Sequence, residues 1–107
     1  MVRYIVLVKR RADLDRETFL RLWTQDHAAL IGRLPWLRRY QFGPTLPVPG
    51  YEPLYDGIGQ LWFDSVEAAL AAFQSPAGQA ARADTPRFAD TEAVRRFFAE
   101  DPAPRPG

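Results

Sequence analysis

The segment from Val2 to Lys9 restricts the fold most, because its apolar residues occupy both faces of a strand. Side chains alternate between the two faces of a strand, so Tyr4 and Val6 point one way while Ile5 and Leu7 point the other. Apolar side chains on both faces are typical of a strand that is buried on both sides. The fold must therefore provide a cover for each face of this strand.

The remaining segments alternate between helical and strand patterns in an order that indicates a fold class. Phe19, Leu22 and Trp23 recur at helical spacing after Asp15, a suitable N-cap, and Pro35 ends this helix. The predicted elements are strands at 2–9, 37–43, 55–63 and 93–100, helices at about 16–33 and 66–74, and a short helical piece at about 77–83. This order predicts an α+β, ferredoxin-like β-α-β-β-α-β protomer, whose four-stranded antiparallel sheet carries two helices on one face. We expect one domain over residues 1–100 and a flexible C-terminal tail over 101–107.

The predicted sheet has one face without helices, yet its strands carry apolar residues there as well. In the third strand, Ile58 and Trp62 lie on one side and Leu61 and Phe63 on the other. A second copy of the chain and a nucleic acid are the two covers to consider. The segment 55–63 lacks the glycine-aromatic signature of an RNA-recognition motif, and the net charge is only +1. Packing of two sheets in a homodimer is therefore predicted, without nucleic acid.

Composition narrows the chemistry that the chain can perform. It has no cysteine, which excludes disulfides, thiolate nucleophiles and cysteine-containing zinc sites, and it has no glycine-rich phosphate loop. The arginine pairs at 10–11, 38–39 and 95–96 are interpreted as solvated edges. The apolar run at 4–8 is too short for a signal peptide or a membrane span. A cytoplasmic protein that does not contact membranes is expected.

His27 is the only histidine, and helical spacing places it on the same side of its helix as Phe19 and Trp23. Histidine ordinarily titrates near neutral pH, so His27 is the best candidate for proton transfer. One interpretation is a general acid or base whose tautomer is set by a partner from the sheet. The other is a structural histidine that is hydrogen-bonded to a sheet residue. Asp26 diverges from His27 by about 100° on the helix and is expected to face solvent or to pair with an arginine.

Several motifs together resemble the EthD family in the dimeric α+β barrel superfamily. They share order and spacing with that family, and they are Leu14–Phe19, Trp23, Asp26–Ala28, Leu34–Tyr40, Tyr55–Gly57 and Leu61–Ser65. The resemblance covers about residues 1–100. It implies a ferredoxin-like protomer that dimerises through its sheet, with a pocket between helices and sheet. The family often has an acidic residue where this chain has Gln60, so a carboxylate role is absent at that position.

The resemblance implies a cofactor-independent lyase or isomerase of the cyclase or decarboxylase type, acting on small aromatic or polyketide-like compounds with His27 as acid or base. One alternative is a non-catalytic dimeric ligand-binding or accessory protein. A more remote one is a haem-binding monooxygenase with His27 as axial ligand, although no second ligand is evident. No cofactor and no metal are expected. A pocket of roughly several hundred Å³ with convergent polar groups would favour the enzyme, and a filled interface the binding protein.

Five further residues are candidates for the pocket. Tyr40 and Tyr51 are proposed to act with His27 in catalysis, because a phenol can stabilise an enolate, and Tyr51 lies in a proline-rich loop at 44–53 suited to covering the pocket. Trp23, Gln60 and Trp62 are predicted to contact the substrate. The two tryptophans are expected to form the walls of one aromatic pocket.

Overall fold

The computed structural model describes residues 1–101 and has the predicted order of elements. The strands and longer helices are β1 (Val2–Val8), α1 (residues 16–31), β2 (Arg39–Pro44), β3 (Gly57–Phe63), α2 (Val66–Gln74), α3 (Pro76–Asp84) and β4 (Arg95–Glu100), and a short 3₁₀ turn at Thr85–Arg87 follows α3. All strand pairs are antiparallel, in the order β2-β3-β1-β4. This arrangement confirms the ferredoxin-like α+β fold. Of the predicted tail, residues 102–107 lie outside the described residues.

Helix α1 contains a local change of winding that includes the solitary histidine. Asp15 caps its start by accepting a hydrogen bond from the Thr18 backbone N–H at 2.7 Å. The helix is α-helical over Arg16–Arg21, π-helical over Leu22–His27 and α-helical again over Ala28–Ile31. π-Helical turns are rare and occur frequently at functional sites. The sequence pattern predicted the helix but not this π segment.

The helices cover one face of the sheet, where most of the core lies. Phe19 from α1, Phe63 from β3 and Phe88 after α3 are the largest fully buried side chains, and each contributes about 1.5–3 kcal/mol through burial. Ala69 and Ala72 turn toward the sheet from α2. Leu70 on the same helix is half exposed, because the alanine face of α2 is the one that packs against the sheet.

The opposite face of the sheet has no helix over it in residues 1–101. The strand register places Leu7 beside Ile58 and Ile5 beside Phe97 on this face. Ile58 is 37% exposed and Phe97 is 46% exposed. The second apolar face that the sequence predicted is therefore present, and we call it the open face. Separately, no helix within residues 1–101 has the length and apolarity needed to cross a membrane.

Candidate functional site

His27 and Asp84 form a buried hydrogen-bonded pair between α1 and α3. His27 Nδ1 lies 3.0 Å from Asp84 Oδ2, and the two side chains are only 11% and 7% exposed. The other carboxylate oxygen, Oδ1, accepts a hydrogen bond from Arg87 Nη1 at 2.7 Å. Because a carboxylate only accepts, the hydrogen of the neutral imidazole belongs on Nδ1. Nε2 then carries the lone pair and has no hydrogen-bond partner within residues 1–101.

The surroundings of His27 favour its neutral form. Burial lowers the pKa of His27 below its ordinary value, and this effect outweighs the opposing hydrogen bond and charge of Asp84. The positive charge of Arg96 lowers that pKa further. At neutral pH the imidazole is therefore in its neutral form, with its hydrogen on Nδ1, and its Nε2 is free to accept a proton.

The sequence interpretation expected the partner of His27 to come from the sheet, but it comes from a helix. Asp84 is 57 residues away along the chain, at the C-terminal end of α3. The sequence analysis did not identify Asp84. A carboxylate at the C-terminal end of a helix is unfavourable with respect to the helix dipole, and this is the local signal by which Asp84 could have been found. Asp26, by contrast, behaves as predicted, since it is half exposed and its carboxylate lies 3.5 Å from Arg87.

His27 borders a cavity between the helices and the sheet, and the cavity has two adjoining lobes of about 60 Å³ and about 120 Å³. Trp23, Tyr40 and Gly59 line the smaller lobe, and Tyr4 and Thr85 are among the residues of the larger one. Both lobes are smaller than typical small-molecule pockets. The larger lobe approaches the size of a cavity that holds one benzene ring, and neither accepts a haem macrocycle.

Two glycines of β3 shape this cavity in opposite ways. A Cβ at Gly57 would lie 2.3 Å from the ring of Trp23, so only glycine lets the indole pack there. A Cβ at Gly59 would meet nothing within 4 Å, so its missing side chain leaves part of the smaller lobe empty. The close contact therefore occurs at Gly57, and the open space lies at Gly59.

The structure brings together only some of the residues that the sequence selected. Tyr40 and Trp23 share the smaller lobe with His27, as expected. Burial raises the pKa of Tyr40, so its phenol keeps its proton. Tyr51 is 80% exposed in the proline-rich loop and does not line either lobe. Tyr4, which the sequence did not select, lines the larger lobe.

Gln60 and Trp62 lie on the open face, across the sheet from His27. Successive residues of a strand point to opposite faces, and Leu61 between them points into the cavity. Gln60 accepts a hydrogen bond from Arg3 at 3.1 Å, and the Trp62 indole N–H donates to Asp101 at 3.1 Å. The expectation that Trp23 and Trp62 are walls of one pocket within a protomer was therefore wrong, because the strand register was unknown.

Within residues 1–101, the carboxylates and the imidazole do not gather into a metal site. Among the residues described, no group of three or more histidine, aspartate or glutamate side chains is arranged to hold a metal ion.

Comparison with known proteins places this geometry in context. Residues 11–92 match the sequence profile of the EthD domain. The chain is 30% identical over 98 residues to an uncharacterised 11.0 kDa protein of Rhodococcus erythropolis encoded in the thcB-thcC intergenic region, covering 92% of this chain and 95% of that protein. An EthD-family protein of Bacillus halodurans superimposes with a TM-score of 0.83 at 23% identity, covering 94% of this chain and 98% of the other.

Two more solved structures share the fold at lower identity. A dimeric ferredoxin-like protein of unknown function from Thermobifida fusca has a TM-score of 0.74 and 19% identity, covering 92% of this chain and 89% of its own. The hydroxynitrile lyase of Passiflora edulis has a TM-score of 0.77 and 17% identity, covering 98% and 96%. At such identities the likeness establishes the fold alone.

Proposed function

This chain belongs to the EthD family, and we propose that it is a cofactor-independent lyase or isomerase that acts on a small aromatic or polyketide-like compound. The observation that carries the proposal is the buried His27–Asp84 pair, whose free Nε2 belongs to a histidine that lines both lobes of the cavity. A carboxylate that holds the imidazole in one tautomer prepares it to act as a general base.

In the proposed reaction, Nε2 of His27 takes a proton from an acidic carbon or phenol of the substrate. The electron pair of the broken bond stays on the substrate as an enolate or phenolate. Tyr40, which keeps its proton, donates a hydrogen bond to the developing oxyanion. Asp84 stabilises the imidazolium, which later returns its proton to the product. Such acid–base catalysis typically contributes about 10²–10⁴-fold in rate.

The cavity limits the size of the compound that reaches His27. Lobes of about 60 Å³ and about 120 Å³ favour a single ring or a short ketide over a fused polycyclic skeleton. The fold also supports lyase chemistry in another protein, the Passiflora edulis hydroxynitrile lyase. We propose that the substrate enters as a monocyclic compound.

A homodimer formed through the open face is part of the proposal. Ile58 and Phe97 are exposed there, and a second sheet would bury them together with Ile5 and Leu7. The Thermobifida fusca protein of the same fold is dimeric, which supports a dimer for this chain as well. Gln60 and Trp62 would then contact the partner sheet and not the substrate, whereas the cavity of each protomer stays on the helical side.

The test is deuterium exchange into a neutral carbon acid. Acetophenone in D₂O at neutral pH exchanges its methyl protons slowly, and the loss of their proton NMR signal measures base catalysis directly. We expect the protein to accelerate this exchange and the variant His27→Gln to lose about 10²–10⁴-fold of the acceleration. Asp26→Asn, which changes the neighbouring residue outside the cavity, is the matched control and should keep the wild-type rate.

The small volume of the cavity supports a second candidate, a dimeric ligand-binding or accessory protein without catalysis. In that case acetophenone exchange would be no faster than in buffer, which would overturn the catalytic proposal. Mass-spectrometric identification of a compound that copurifies with the protein, and its loss in Gly59→Val, which would fill the smaller lobe, would then support the binding role.

A further inference from the structure

Arg96 lies between two apolar residues on the face of the sheet that the helices cover. Its neighbours on that face are Val94, which is buried, and Phe98, which packs into the core. The strand register places Arg96 beside Val6, which packs against the core cluster around Trp23. The Arg96 side chain thus leaves the strand on the face that the helices cover, where an apolar side chain would ordinarily pack. Arg95 and Arg96 are both exposed, as the sequence interpretation of a solvated pair expected, but Arg96 lies on the covered face of the sheet.

Arg82 approaches the same space from the other side, on α3. Helical spacing puts Gly78, Ala81, Arg82 and Thr85 on one face, and all four line the larger lobe. Arg96 lines that lobe as well. Two arginines from different elements therefore line one cavity.

Neither arginine has an ion-pair or hydrogen-bond partner within residues 1–101, whereas Arg38 and Arg87 each bind a carboxylate. Arg82 and Arg96 are exposed and His27 is buried, so the lobe runs from a cationic entrance to the imidazole. Burial raises the pKa of the Tyr4 phenol, and the charges of Arg96 and Arg82 oppose that rise. Both guanidinium groups thus act electrostatically on the interior of the lobe.

We propose that Arg82 and Arg96 form a carboxylate-binding entrance to the larger lobe, so that the natural ligand is a monocyclic aromatic acid or a short keto acid. The planar fork of arginine matches a carboxylate through two parallel hydrogen bonds. The acid group stays at the entrance, and the apolar body extends between Ile31, Leu61 and Phe73 toward His27. The substrate class deepens the proposed function and rests on it, whereas the binding site is testable without any reaction.

Benzoate and its neutral isostere benzamide are the probes, titrated into the full-length chain. Since His27 is the only histidine, its imidazole signals in NMR spectra report ligand in the lobe without ambiguity. We expect benzoate to bind at least about tenfold more tightly than benzamide, with affinity that falls as salt is added. Arg82→Gln and Arg96→Gln should each weaken benzoate binding about tenfold and leave benzamide unchanged.

Arg95→Gln is the matched control, because Arg95 precedes Arg96 in β4 but points to the open face. It should bind benzoate like the wild type, and Arg96→Lys should retain part of the affinity. Equal binding of the two probes, no binding of benzoate, or insensitivity to both glutamine variants would overturn the proposal. Acetophenone carries no charge, so its exchange tests His27 independently. If the protein binds benzoate but does not accelerate acetophenone exchange, the catalytic function is refuted and the carboxylate-binding site is retained.

Discussion

Replacing Asp84 with asparagine isolates the interaction on which the site depends. The substitution preserves the shape of the side chain but removes the negative charge that accepts the His27 Nδ1–H at 3.0 Å. A hydrogen bond to a charged group contributes about 1.5–3 kcal/mol. Asp84 is only 7% exposed, so solvent screens this bond little. The contact with Arg87 adds less, because the arginine side chain is half exposed.

We therefore expect Asp84→Asn to lower the free energy of unfolding by about 2 kcal/mol. With a denaturant dependence of roughly 1–3 kcal/mol per molar urea, the unfolding midpoint should fall by about 1 M. The measurement is urea unfolding at one fixed protein concentration, since the stability of a dimer depends on concentration. Asp26→Asn removes the more exposed carboxylate near the same Arg87 and should shift the midpoint far less.

The same variant should change the protonation of the single histidine. The introduced amide can donate to Nδ1, which moves the imidazole hydrogen to Nε2 and removes the free lone pair from the cavity. Loss of the Asp84 charge should also lower the pKa of His27 further, because the hydrogen bond and charge of Asp84 oppose the lowering that burial causes. Imidazole ¹⁵N shifts report both properties. An unfolding midpoint equal to that of Asp26→Asn, together with an unchanged tautomer, would refute the assignment of Asp84 as the partner.

Three other predictions concern stability and assembly. The free energy of unfolding should fall as the pH drops below about 6.5, because the pKa of His27 is lower in the folded chain than in the unfolded one and protonation therefore favours unfolding. A wild-type profile of stability against pH that matches the profile of His27→Gln would contradict this. Gly57→Ala should lower the free energy of unfolding by about 1–3 kcal/mol, because the added methyl group collides with Trp23, whereas Gly59→Ala should leave it unchanged or raise it. Equal urea midpoints for the two variants would be inconsistent with the packing described. Phe97→Glu should dissociate the dimer in sedimentation experiments, and an unchanged sedimentation coefficient would rule out the open face as the interface.

The fold was predictable because its signals are local. Runs of apolar residues on both strand faces indicated β1 and β3, and Asp15 indicated the start of α1. Asp15 and Ser65 do cap their helices through side-chain hydrogen bonds to backbone N–H groups. Element ends differ from the predicted ones by a few residues, since propensity alone does not fix where pairing stops.

The candidate site was predictable only in part. His27 was identified because it is the sole near-neutral titrating group in the chain, and Trp23 because it shares a helical face with it. Trp62 was assigned to the wrong side because a shift of one residue in register exchanges the two faces of a strand. The π segment of α1 also escaped prediction, because its apolar spacing resembles that of an ordinary α-helix.

The sequence by itself determined a ferredoxin-like protomer with a second apolar sheet face and one histidine turned toward its core. Only the tertiary structure decided that Asp84 is the partner of His27 and that Arg82 and Arg96 share its cavity. The physical reason is the range of the interactions concerned. Periodicity and capping act over a few residues, whereas the charges of this cavity come from segments far apart in the chain. They come together only when α3 packs against α1 above the sheet.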